Sequence, residues 1–215
     1  MELRNMILAL GIALLLLAGC TATAQQPANT ATNGSGGTNM AKNTTDTGGS
    51  AATEIAVFET NRGNFEIELD RAHAPKTVEN FVTYVKSGFY DGLVFHRVIG
   101  GFMIQGGGFG LDQSQKQANA PIALESANGL KNTIGTVAMA RTSDPNSATS
   151  QFFINVADND FLNYGPGNPG YAVFGKVVSG MDNVMAISKV PTTTKGDYSD
   201  WPVQDVVITK AYMKG

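Results

Sequence analysis

Cysteine, histidine and charge are all scarce in this 215-residue chain, and each scarcity removes a class of function. The single cysteine, Cys20, excludes an intramolecular disulfide. The only two histidines, His73 and His96, lie far from it and from each other, so zinc-ligand spacing is absent. Charged residues make up 15% of the sequence and the net charge is -3, which leaves no clustered basic face for nucleic acid. The same balance argues against a polybasic contact with a membrane surface. Motifs for nucleotides and acyl transfer are missing as well. Gly165-Pro166-Gly167-Asn168-Pro169-Gly170 has GxGxxG spacing, but it holds two prolines and runs into strand-like Tyr171-Ala172-Val173-Phe174. A dinucleotide site needs that pattern to open a helix whose N-terminus holds the pyrophosphate. Gly106-Gly107-Gly108 lacks the Lys-Ser/Thr of a phosphate loop, and no GxSxG elbow surrounds Ser143, Ser147 or Ser150.

Long apolar runs are also few, and the longest stands at the N-terminus. Met6 to Leu17 is almost unbroken apolar sequence behind Arg4. It is short for a membrane span of about 20 residues and fits the apolar region of an export signal. The run ends in Leu17-Ala18-Gly19-Cys20, which resembles the bacterial lipobox. That resemblance implies that residues 1–19 are a cleaved lipoprotein signal peptide and that Cys20 becomes the acylated anchor. Several acyl chains attach stably where one alone does not. Thr21, in place of the aspartate that retains lipoproteins at the inner membrane, directs the expectation to the outer membrane, facing the periplasm. Residues 20–53 are then mostly Ala, Thr, Asn, Gly, Ser and Gln, with Met40 the one apolar side chain larger than alanine apart from Pro27. Such a stretch cannot offset its ordering entropy and is expected to be a disordered linker with an r.m.s. reach of roughly 30 Å.

Order is expected from Glu54 to the C-terminus, as one domain over 54–215. Ile55 and Val57, then Phe65, Ile67 and Leu69, alternate on either side of Asn61-Arg62-Gly63-Asn64 and predict a β-hairpin. Phe58 breaks the alternation of the first strand. Val78, Phe81, Val82 and Val85 fall at helical spacing, with Pro75 suited to the first turn and Gly88 to the stop. A second helix is expected over Met181 to Lys189, after Gly180. Short apolar runs predict strands over 93–99, 102–105, 133–140, 151–156, 171–178 and 203–212. Many strands, few helices and no βαβ alternation or internal repeat predict a mainly β fold, a closed antiparallel barrel with helical caps.

Three blocks carry a more specific message. Phe95-His96-Arg97-Val98-Ile99 leads into Phe102-Met103-Ile104-Gln105-Gly106-Gly107. Gly135-Thr136-Val137-Ala138-Met139-Ala140-Arg141 leads to Ser150-Gln151-Phe152-Phe153-Ile154, and Phe161-Leu162 to Tyr171-Ala172-Val173-Phe174-Gly175-Lys176-Val177. Together, in this order and over about 53–212, they resemble the cyclophilin family of peptidyl-prolyl cis-trans isomerases, in its compact bacterial form. The resemblance implies an eight-stranded antiparallel barrel capped by two helices, with its site on the outer face. Carried over by position, Arg97 is the catalytic residue and Gln105 its polar catalytic neighbour. Phe102, Met103, Phe153 and Leu162 form a pocket for the substrate proline. Phe95, His96, Ala140, Arg141, Gln151, Phe161 and Tyr171 line the groove for the flanking peptide. Without the blocks, Phe102 and Phe153 would read as core, Arg97 as a solvated charge, and His73 as a loop residue.

The residue types suit the reaction implied. Amide rotation faces a barrier of about 18–20 kcal/mol because the C–N bond has double-bond character. At the twisted transition state the prolyl nitrogen regains a lone pair, which a fixed cationic donor can then bond. Arginine stays charged and offers several donors in a rigid fork. No proton moves, so His96 is expected to pack and not to act as acid or base, and no cofactor or metal is needed. The expected partners are proline-containing flexible polypeptides met by a monomer, with exported proteins as the clients. The competing reading is a module that holds proline segments with incidental turnover. Phe161, Tyr171 and Arg141 stand where many eukaryotic members carry tryptophan, histidine and asparagine, which puts cyclosporin binding in doubt.

Overall fold

The computed structural model describes residues 53–215, so the expected leader, Cys20 and the linker as far as residue 52 lie outside the described residues. Ten strands and two helices follow in the order β1 (Ile55–Thr60), β2 (Phe65–Leu69), α1 (Pro75–Lys86), β3 (Arg97–Ile99), β4 (Met103–Gly106), β5 (Thr136–Met139), β6 (Phe152–Asn155), β7 (Val173–Ser179), α2 (Met181–Ile187), β8 (Thr192–Lys195), β9 (Tyr198–Pro202) and β10 (Ile208–Met213). Eight of the strands make one antiparallel sheet in the order β10-β1-β2-β7-β5-β6-β4-β3, and β8 and β9 pair as a separate hairpin.

The sheet curls because one face must enclose a common core. Alternate residues Phe65, Ile67 and Leu69 of β2 point inward, and so do Ala56 and Phe58 of β1. The residue that breaks the alternation of β1 in the sequence, Phe58, is thus a central core side chain. Its ring stacks on Phe65 at 5.3 Å and meets Phe81, Tyr90 and Phe152 within 6 Å. Helix α1 closes one end through the expected stripe Val78, Phe81, Val82 and Val85, all buried. Ala74 gives no side-chain cap, and Glu125 supplies one from a distance. Its carboxylate accepts from the Lys76 amide at 3.1 Å, the Thr77 amide at 2.8 Å and the Thr77 hydroxyl at 2.7 Å. Pro75 opens the helix, and Gly88, at φ +66°, follows its C-terminal cap.

The strand order has two ends, β10 and β3, so the described fold is a curled half-barrel where a closed barrel was expected. Across the seam, residues before β3 meet the start of β10 and the residues just before it. The Gly92 amide donates to the Ile208 carbonyl at 2.8 Å, Ile208 to Leu93 at 2.8 Å, and Phe95 to Val206 at 2.9 Å.

Several apolar runs yield shorter strands than the sequence predicts; of 93–99 only Arg97–Ile99 is a strand. The hairpin β8–β9 is an addition, since its Thr-rich first strand has no apolar alternation. It packs through fully buried Trp201, whose indole N–H donates to Asp205 Oδ1 at 2.7 Å. Lys195 Nζ reaches the same oxygen at 2.7 Å. Replacing Asp205 with alanine strands a buried indole donor and frees the lysine. Asp205→Ala is expected to lower unfolding free energy by about 2 kcal/mol, the scale of a charge-assisted hydrogen bond. Urea unfolding measures it; a loss below about 0.5 kcal/mol would mean that packing alone holds the hairpin.

Candidate active site

Strands β4, β5 and β6 are buried on both faces, and that sets the site. Ile104, Val137, Met139, Phe152 and Ile154 point into the main core. Met103, Ala138 and Phe153 point the other way and form a second apolar cluster with Leu162 and Val173 on the outer face. The register joins this row: Arg97 pairs with Gln105, Gln105 with Phe153, and Phe153 with Ala138. Cross-strand neighbours of this kind have their Cβ atoms about 5 Å apart on the same face.

A cavity of about 120 Å³ opens on that row, lined by Arg97, Phe102, Met103, Gln105, Ala140, Arg141, Phe153, Leu162 and Tyr171. Nine of the thirteen residues that the sequence assigns to a site in the domain are thus brought together. Met103, Phe153 and Leu162 are buried floor and wall. The Arg97 guanidinium stands 5.9 Å from the centroid of Phe102 and forms no ion pair among the described residues. Gln105 Nε2 donates to Gln151 Oε1 at 2.9 Å, so Gln151 is a support just behind the cavity. That contact needs Gly108, because a Cβ there would lie 2.6 Å from Gln151 Cγ. Phe161, 67% exposed, rests its ring 5.5 Å from Phe102 and forms an open rim. Arg141 Cζ lies 4.5 Å from the Tyr171 ring centroid.

Two residues expected along the groove lie elsewhere. Phe95 is fully buried in the main core, 6.0 Å from Phe152 and 6.2 Å from Phe65, and lines no groove. His96 is 5% exposed and faces Phe109 at 4.6 Å and Trp201 at 6.0 Å, beneath the β8–β9 hairpin. Phe95 and Val98 both point to the core, so the two-residue alternation breaks between them and frees Arg97 to point outward. The packing role expected for His96 agrees with its burial.

Not evident from the sequence is a set of asparagines, with Asn132, Asn155 and Asn159 buried and Asn168 half-buried, that hold the cavity's loops. Asn159 Nδ2 donates to the Phe102 carbonyl at 2.9 Å and to Asn155 Oδ1 at 2.7 Å. Asn132 Nδ2 donates to the Leu162 carbonyl at 3.1 Å, and Asn168 Nδ2 to the Phe161 carbonyl at 2.9 Å. Asparagine among apolar strand and turn residues, as in Phe152-Phe153-Ile154-Asn155, is the signal that was available.

A larger cleft of about 690 Å³ lies by β2 and β7, lined in part by Glu54, Glu68, Arg71 and Lys176. Its arginine is already held by Glu54 at 2.6 Å and Glu79 at 2.7 Å, and Lys176 stands 3.8 Å from Glu68. The smaller cavity sets the Arg97 cation beside a buried apolar floor, an arrangement able to hold a small ring and donate to an atom above it. Among the described residues no group of three His, Cys, Asp or Glu side chains is placed to hold a metal.

The family model described as cyclophilin type peptidyl-prolyl cis-trans isomerase/CLD matches residues 55–213. A peptidyl-prolyl cis-trans isomerase of Acinetobacter baylyi is 55% identical over 163 residues, covering 76% of this chain and 87% of its own. Peptidyl-prolyl cis-trans isomerase B of Escherichia coli is 52% identical over 157 residues, covering 72% and 96%. Among solved structures, a cyclophilin-type isomerase of Cryptosporidium parvum determined in the presence of the dipeptide Ala-Pro aligns with a TM-score of 0.63 at 27% identity, over 75% of this chain and 99% of its own.

Burial first, and then the charge of Arg97, lower the pKa of His96 from 6.5 to about 4, against a weaker opposing effect of the Val94 backbone. Nδ1 of this ring has no hydrogen-bond partner among the described residues. The native state therefore keeps the ring neutral while the unfolded chain takes up a proton below about pH 6.5. Its contribution to stability is complete above pH 6.5 and is lost as pH falls towards 4, by roughly 3 kcal/mol. His96→Gln should remove that component. Urea unfolding of both proteins at pH 4.5 and 7 checks it, and equal losses on acidification would show that the ring is not held neutral.

Proposed function

The chain belongs to the cyclophilin-type peptidyl-prolyl cis-trans isomerase family, and from that premise we propose that it accelerates X-Pro isomerisation in exported polypeptides while anchored in the cell envelope. Peptidyl-prolyl isomerase activity itself is what the family and its bacterial relatives, at 52–57% identity, carry. The observation that supports the site assignment is the unpaired Arg97 cation beside the cavity floored by Met103, Phe153 and Leu162.

In this reading the substrate's proline ring enters the cavity, where apolar side chains hold it while the acyl side turns. Arg97 donates to the prolyl nitrogen once resonance is lost and the lone pair appears. It then binds the transition state better than either planar ground state. Gln105, held by Gln151, orients the peptide next to Arg97. Phe161 and Ala140 line the flanking groove. The same reading takes the sheet as a closed barrel in solution, supported by the hydrogen bonds from residues 92–95 to 206–208. It also takes the protein as a monomer.

Arg97→Ala is expected to lower kcat/KM about a hundredfold, equivalent to about 3 kcal/mol of differential binding. Peptide affinity should fall much less, because the apolar residues remain. A protease-coupled assay on an Xaa-Pro peptide, with peptide titration, measures both. A folded variant turning over within a few-fold of wild type would favour a proline-segment holding role instead.

The envelope part of the proposal rests on Leu17-Ala18-Gly19-Cys20 and on the low-complexity sequence after it. Thr21 favours the outer membrane, on its periplasmic side. Mass spectrometry of the membrane fraction should find Cys20 acylated in the wild type and the protein released to the soluble fraction by Cys20→Ala. An unmodified Cys20 in the membrane fraction would overturn the anchor.

A further inference from the structure

Arg141 lies two residues beyond the end of β5 and was expected to face the flanking peptide. Three of its five N–H donors are used within the protein. Nε and Nη2 fork onto the Gly170 carbonyl at 3.0 and 2.9 Å, and Nη1 donates to the Thr142 carbonyl at 2.8 Å. The cation lies over the face of Tyr171, 4.5 Å from its centroid. Tyr171 in turn stands edge-on to Phe153, at 5.6 Å and 80°, and Phe153 is a buried wall of the cavity.

The turn that Arg141 grips has no slack of its own. Gly170 sits at φ +64°, and a Cβ there would lie 2.5 Å from the Tyr164 nitrogen. The Tyr171 amide donates to the Leu162 carbonyl at 2.9 Å, so the gripped turn also carries a second residue of the cavity. A planar guanidinium can bridge two carbonyls and still present its face to a ring. A lysine ammonium, a single centre, cannot do all three at once.

We propose that Arg141 is a positioning residue. It clamps the Gly170–Tyr171 turn so that Tyr171 braces Phe153, and it thereby fixes the width of the cavity without itself holding the peptide. This rests on reading that cavity as the proline site.

Three variants test it: Arg141→Lys, Tyr171→Leu and the double substitution. Each single variant should raise KM for an Xaa-Pro peptide five- to tenfold with kcat within twofold. The double variant should be no worse than the more affected single one, because both break the same brace. Partial unfolding would lower kcat and leave KM alone, so it cannot imitate this pattern. Without any substrate, the aromatic NMR resonances of Phe153 should shift in Arg141→Lys while those of Phe58 and Phe81 in the main core stay put. The proposal is overturned if lysine preserves the wild-type KM, which would mean that charge alone suffices. It is equally overturned by additive effects on KM or an unmoved Phe153 resonance. A wild type inert towards Xaa-Pro peptides would instead remove the proline-site reading, while the ligand-free Phe153 shift still reports on the brace.

Discussion

Double-sided burial of β4, β5 and β6 is the constraint from which the site follows. One face of these strands completes the core around Phe58, Phe81 and Phe152, as any curled sheet requires. The other face carries Met103, Ala138 and Phe153, which in a half-barrel with a solvated exterior must be covered. The segment holding Phe161–Leu162 and the turn to Tyr171 lie over that face. Where their cover stops, a cavity remains. Covering backbone cannot be buried with its polar groups unpaired, and the asparagines serve that need: Asn159 bonds the Phe102 carbonyl and Asn132 the Leu162 carbonyl. The polar network is therefore a consequence of placing an apolar cavity outside the main core.

The placing of the cation is the second consequence. Arg97 stands on β3, an end strand of the hydrogen-bonded sheet, and is half-buried there. A charge can stay partly hydrated there while its donors border the dry floor. Its neighbour His96 faces away, into Phe109 and Trp201 under the hairpin. Burial and the arginine's own charge both keep that imidazole neutral. The hairpin β8–β9, pinned at Asp205, covers this ring through Trp201 and keeps it dry.

Much of this was legible in the sequence, for reasons that differ from element to element. Helix α1 follows from Val78, Phe81, Val82 and Val85, because helical spacing and burial coincide there. The cavity residues follow from the three blocks, since Arg97, Met103, Gln105, Phe153 and Leu162 come from separate segments that only a family likeness joins. Phe95 was misplaced because its groove role was carried over by position from the family likeness, and the chain breaks its alternation between residues 95 and 98 where no glycine or proline marks it. The hairpin β8–β9 was missed because exposed threonines carry no period. Trp201, which secures it, is a single apolar residue among Asp, Ser and Pro. The Arg141 clamp was unreadable for a different reason: its partners are backbone carbonyls, which have no sequence signature.

The chemical content of the cavity narrows what it can do. Its lining offers one free cation, one carboxamide, a clamped arginine, a tyrosine and otherwise hydrocarbon. It includes no carboxylate, thiol or imidazole, and the one histidine nearby is turned away. General acid–base work near neutrality needs a group that gains and loses a proton there, and nucleophilic work needs one that can be activated. Among the described residues, the cavity lining supplies no carboxylate, imidazole or thiol for either task. Rotation about an amide needs neither, since no bond is made or broken. It needs a ring held still, a dry surrounding that strengthens a single electrostatic contact, and a donor placed for a lone pair that exists only at the twisted geometry. On the proposed reading, the cation and the buried apolar wall of this cavity are what that reaction would use.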